Sequence, residues 1–145
     1  MAKNKIFAET QGRNRERLLS TVTKPTSTPT TILPGVPVLF ADGPAVSLTA
    51  SPNATRTETL SDGSTVTFPI GGVGNQAGAA SFAFDGTWEF AVAGATTTTA
   101  NGVEVYITDA GGLTLTVGTN THYGWTDYPR DYFKVAGRAA VRVGK

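Results

Sequence analysis

The chain of 145 residues has no cysteine, one methionine and one histidine. The absence of cysteine excludes a disulfide framework and a thiolate metal centre, and leaves the redox compartment open. A lone His122 cannot build a multi-histidine metal site, so no metal or cofactor is expected. Apolar runs all fall short of the roughly 20 residues of a membrane span, so no membrane partner is expected either. Behind the lysines of "MAKNKIFAETQGRNRER" there is no apolar stretch, which reads as the lack of a signal peptide and predicts synthesis in a cytoplasm. No segment of ten or more residues carries a helical period. Charged residues are also sparse, at 16%.

Threonine, alanine and 17 glycines fill the space instead, a composition that favours strands joined by tight turns. The length suits one domain. Charge is unevenly spread. Lys3, Lys5, Arg13, Arg15, Arg17 and Lys24 stand against Glu9 and Glu16 in residues 1–24, a net of +4 that leaves −3 for the remainder. The pattern predicts a basic N-terminal arm over 1–24, with a short first strand at 18–22, on a mildly acidic body. Such an arm either binds an acidic surface or is a solvated terminus. A connector over 25–34, "PTSTPTTILP", holds three prolines and reads as extended chain. Residues 35–145 then form the β domain.

Within that domain, "VPVLFADGPAVSLTA" predicts two strands about an Ala41–Pro44 turn, with Pro37 at the start of its strand. Residues 50–64 read as polar and turn-rich, with a turn at Asp62-Gly63, and "TVTFPI" alternates after them. Glycine-rich "GGVGNQAGAA" lacks the lysine and strand–loop–helix setting of a phosphate loop and reads as a surface loop. In "SFAFDGTWEFAVAG" the residues Phe82, Phe84, Trp88, Phe90 and Val92 keep one parity. A hairpin at Asp85-Gly86 is one reading; the unbroken parity favours a single strand bent at Gly86. Threonines 96–99 act as a connector and Asn101-Gly102 as a turn. Val103–Val117 follows as a hairpin about Asp109–Gly112, with Val103, Val105, Ile107, Leu113, Leu115 and Val117 on its apolar faces. Closing strand "GRAAVRVGK" turns Ala139, Val141 and Val143 inward and Arg138 and Arg142 outward. These elements predict an all-β protein: a small antiparallel β-barrel or sandwich-like domain with an extended N-terminal arm.

Chemistry is thin. His122 lies near Asp127 and Asp131 without a nucleophile motif. Asp85 and Glu89 are four apart, which in a strand puts both on the wet face, where solvation explains them better than glycoside hydrolysis. The segment "THYGWTDYPRDYF" concentrates Tyr123, Trp125, Tyr128, Tyr132 and Phe133. Such a cluster can anchor a partner, stack on sugars, or cover one end of a barrel. Nucleic-acid binding is not expected, since the basic residues lie in the arm, far in sequence from the aromatics, and the body is net negative. No enzymatic activity is expected.

The succession "LPGVPVLF", "GPAVSLT", "FDGTWEFAVAG", "ANGVEVYITDAGGLTLT" and "AAVRVGK" resembles the small capsid decoration (cement) proteins of tailed bacteriophages. The resemblance spans residues 33–143 and rests on strand patterns, most specifically Asp85–Val92 and Gly102–Tyr106. It implies a barrel-like body that trimerises, is made in the host cytoplasm and sits on the outer surface of the virion capsid, with the major capsid protein as partner. This sequence departs by its longer basic arm, its Thr/Pro connector and an expanded 50–80 region. The expected capsid or subunit contacts are Lys3, Lys5, Arg13, Arg15, Arg17, Tyr123, Trp125 and Tyr128. A carbohydrate-binding β module using Tyr123, Trp125 and Tyr128 is the alternative.

Overall fold

The computed structural model describes residues 5–7, 14–71 and 75–144. Among the described residues thirteen strands follow in chain order: β1 Lys5–Phe7, β2 Asn14–Leu18, β3 Val22–Lys24, β4 Pro37–Phe40, β5 Gly43–Ser47, β6 Thr55–Thr59, β7 Thr65–Pro69, β8 Ala79–Ala83, β9 Thr87–Ala93, β10 Glu104–Ile107, β11 Leu113–Thr114, β12 Thr121–Thr126 and β13 Arg138–Val143. A single 3₁₀ turn, Leu19–Thr21, separates β2 from β3. The protein is all-β, as its composition predicts.

Five strands, in the order β9-β11-β10-β12-β13, close into a barrel because β13 pairs back onto β9. Closure leaves those strands no long free edge. The hinge of the ring is β11, which runs antiparallel to β10 but parallel to β9. So small a ring has room only for side chains. Trp88, Val92, Val105, Ile107, Tyr123, Ala139, Val141 and Val143 are buried there at 2% exposure or less. As expected, Ala139, Val141 and Val143 are buried and Arg138 and Arg142 exposed, but Ala140 between them is buried as well. The 103–117 hairpin is shorter than expected. Its second arm leaves the ladder after Thr114, Leu115 is half-buried, and Val117 is exposed. The chain departs there because β11 must turn from β10 to meet β9.

The second lobe is an open sheet, β2-β8-β5-β4-β3, curled into a half-barrel. Its two edge strands are consecutive in sequence and joined by only three residues, so the sheet has to curl until its edges nearly meet. Leu19, Val22, Ile32, Val38, Phe40, Phe82 and Phe84 fill it. Phe40 packs edge-on against Phe82 at 4.9 Å between ring centroids, a geometry that satisfies the ring quadrupoles. Two expectations are corrected here. A single strand at 18–22 is replaced by β2, the 3₁₀ turn and β3, because Leu19 and Val22 are both drawn into this core. The body also starts no later than Asn14, since β2 pairs with β8 along its whole length and β3 pairs with β4. The connector is likewise bound to the body: Thr26 N donates to Asp109 O at 2.9 Å, and Ile32 is buried.

Residues 79–93 link the lobes. Strands β8 and β9 do not pair with each other, which rules out the hairpin at Asp85-Gly86. The chain bends at Phe84–Gly86, where Gly86 takes φ +89°, a value that favours glycine. Even-numbered residues stay buried through the bend, but Phe82 and Phe84 enter the half-barrel and Trp88, Phe90 and Val92 the barrel. Trp88 Nε1 donates to Asp85 O at 2.9 Å and fixes the bend. Across the seam, the wholly buried Tyr123 hydroxyl donates to Ala45 O of β5 at 2.7 Å.

Residues 50–64, expected as loop, contain β6, which pairs with β7 in a two-stranded ribbon. All of β6 is exposed, and in β7 only Phe68 is half-buried. The alternation in "TVTFPI" is real, yet Val66 is 45% exposed because this ribbon stands clear of both cores.

Burial holds the Tyr123 phenol well above its ordinary pKa of 10.0. The folded group stays protonated where the unfolded one ionises, so its stabilisation is complete below about pH 10 and falls as pH rises further. Tyr123→Phe is expected to cost about 1–3 kcal/mol at neutral pH by leaving Ala45 O unpaired. It should also flatten the alkaline fall in the urea midpoint measured from pH 9 upward. An alkaline profile identical to that of the wild type would contradict this assignment.

Candidate functional site

Strand parity alone would put His122 and Trp125, three apart, on opposite faces of β12. They share the outer face because β12 carries a bulge. Val105 pairs with Gly124 and Tyr106 with His122, so Tyr123 is an extra residue opposite one step of β10. Tyr123 and Gly124 both turn inward and are buried, and the outward side chains resume at Trp125. Gly124 has no substitute here, because a Cβ would collide with the backbone carbonyl of Arg142 on β13.

Two outward rungs result. In one, Glu104, Trp125 and Arg142 lie side by side on β10, β12 and β13. In the next, Tyr106 faces His122. Ring centroids are 5.9 Å apart for Tyr106–His122 and 4.5 Å for His122–Trp125, with interplanar angles of 88° and 58°. The three rings are half-buried, and Glu104 and Arg142 are exposed. The Tyr106 hydroxyl donates to Glu104 Oε2, and that bond to a carboxylate raises the phenol's pKa. His122 Nε2 is shielded and has no hydrogen-bond partner among the described residues.

The aromatic segment is therefore divided by the fold. Tyr123 belongs to the barrel core and offers no contact surface. Tyr128 is also buried, at 8% exposure, stacked on Tyr132 at 5.3 Å and beneath Lys134 Nζ at 4.3 Å. Only Trp125, of the three expected contacts, faces outward. Its neighbours Tyr106 and His122 were not expected as contacts; His122 joins Trp125 only through the bulge, which a period-two reading cannot see.

The loop after β12 covers the outer side of β9 and β13 and displays Phe133 at 84% exposure. That loop is pinned on both sides. Tyr132 Oη donates to Glu89 at 2.8 Å, and Lys134 Nζ donates to Thr99 O at 2.7 Å. Desolvation and the Glu89 bond push the Tyr132 phenol up to about 12. Glu89, expected on a solvated face, is held by Tyr132 and by Arg138 at 2.8 Å.

Among the expected basic contacts, Lys3 and Arg13 lie outside the described residues, as do 72–74 of the glycine-rich segment. Lys5 is placed only by its backbone, which pairs with Trp88 of β9. Arg15 is exposed on β2. Arg17 has a structural role at the half-barrel mouth, paired with Asp42 and lying 5.6 Å from the Phe84 ring centre. Among the described residues, no group of three or more His, Asp or Glu side chains could hold a metal ion. No family model, curated protein or solved structure matches the chain.

Gly124→Ala is expected to lower stability by about 1–3 kcal/mol, as overpacking against backbone does, read as a drop in the guanidinium midpoint. Gly112→Ala is the control, because its Cβ would meet only the Thr108 hydroxyl at 3.6 Å; it should shift the midpoint by less than about 0.5 kcal/mol. Equal shifts for the two variants would refute the constraint at the bulge.

Proposed function

We propose that the protein is a virion structural protein, a decoration or cement protein that binds the outer surface of a phage capsid and stabilises it. It acts as a homotrimer with the major capsid protein as its partner. The observation that carries this reading is the placement of its adhesive groups. Phe133 and the β6–β7 ribbon stand on the exterior of two well-filled cores. A clamp needs contact area on a rigid body, and reacting groups gathered in a cleft would be of no use to it. An 84% exposed aromatic on a loop pinned at Tyr132 and Lys134 suits a docking anchor, because little backbone freedom remains to be lost on binding. Three copies of a modest contact on one trimer bind with high avidity, since the second and third engage at high effective concentration. The strand patterns that resemble small cement proteins, Asp85–Val92 and Gly102–Tyr106, supply the shoulder of the bend and the first barrel strand of the hairpin. Of the three residues on which the carbohydrate-module alternative relies, Tyr123 and Tyr128 lie in the core and Trp125 faces outward.

The pure protein is expected to scatter light as a trimer of 15.1 kDa chains. It should co-sediment with expanded capsids that lack decoration and raise the temperature at which they break open. Failure to bind such capsids would falsify the reading. Phe133→Ser should leave the melting temperature of the free protein nearly unchanged and weaken capsid binding about tenfold or more, the scale of an anchor residue. Undiminished occupancy by this variant would remove Phe133 from the interface.

A further inference from the structure

We propose that the outer face of β10, β12 and β13 is a carbohydrate-binding site, formed by Glu104, Tyr106, His122, Trp125 and Arg142. It is independent of the capsid-docking surface.

A sugar ring presents an apolar C–H face and a rim of hydroxyls, each both donor and acceptor. It is held best by an aromatic face with a carboxylate and a cationic donor at its edges. The rung across three strands has that composition and order, carboxylate, indole, guanidinium. Neighbouring strands are about 5 Å apart, so the rung spans roughly 10 Å, the scale of a short oligosaccharide. Glu104 gives one oxygen to the Tyr106 hydroxyl, and a carboxylate with two oxygens retains capacity to accept more. Tyr106 and His122 extend the surface by one rung, and their steep tilts make it stepped and not flat.

Two features set this face apart from a protein-docking patch. It contains no aliphatic side chain, whereas Phe133 has the exposed Val135 two residues away. It is also built at a cost in conformational freedom. A bulge and an obligatory glycine are needed to bring His122 and Trp125 to one side, and bulges concentrate where a side chain must be re-aimed.

The indoles make the test direct, since the only two tryptophans are Trp125 on this face and Trp88 inside the barrel. The trimer is titrated with chitotetraose, cellotetraose and maltotetraose while both indole N–H signals are followed by NMR. Saturable movement of the Trp125 signal with at least one sugar, Trp88 staying fixed, is expected. Trp125→Ala should weaken that binding at least thirtyfold, and Glu104→Gln or Arg142→Gln about three- to tenfold, with melting temperature and capsid occupancy preserved. If Trp125→Ala does not fold, Trp125→Phe and the two polar variants carry the same comparison. No saturable response to any of the three sugars overturns the proposal. So does loss of trimer or of capsid occupancy in Trp125→Ala without sugar binding by the wild type, which would assign the face to a protein partner. Failure to bind capsids, with sugar binding intact, would overturn the decoration reading and leave this one standing.

Discussion

Residues 79–93 leave one sheet and enter another without changing parity, and the placement of the two larger sheets depends on that crossing. On one side of the bend, β8 gives β2 and β5 their partner. On the other, β9 serves as the strand from which the barrel starts and on which it closes. The bend is possible because Gly86 accepts a positive φ and Trp88 reaches back to Asp85 O. With both lobes fixed to one continuous backbone, the Tyr123–Ala45 hydrogen bond has only to lock their relative rotation. A buried bond of that kind contributes most through the penalty for leaving its acceptor unpaired.

The same economy shapes the exterior. A strand normally offers every second side chain to solvent. At β12 one extra residue breaks the rule, so a core tyrosine, a core glycine and two outward rings come from four consecutive positions. The inward Tyr123 ties the lobes together while the outward His122 and Trp125 remain available for contact. Structural and surface roles therefore alternate within one short segment, and neither can be read from the aromatic content of that segment alone.

Much of the architecture was legible in residue order. The even parity of Phe82 through Val92, the alternation of Ala139, Val141 and Val143, and the Asn101-Gly102 turn all follow from local chemistry, and each is found in the fold. Elements less visible were those whose reason is distant. Strand β6 is threonine-rich and fully exposed, so no hydrophobic period marks it; it exists because β7 pairs with it. Strands β2 and β3 looked like part of a basic arm because Arg15, Arg17 and Lys24 outnumber Glu16 there, yet Leu19 and Val22 help complete a core whose other members lie up to 65 residues on, at Phe84.

Sequence by itself determined the class of fold, the strands with one buried face, and the exclusion of cysteine chemistry, because those depend on composition and on a period of two. Tertiary structure alone decided that the apolar face of 82–92 serves two cores, that the ring closes through β13 on β9, and that Tyr123 and Tyr128 lie inside while Trp125 faces out. The physical reason is the same in each case. A bend, a closure and a bulge are set by which backbone groups find partners across the sheet, and those partners are remote in the chain.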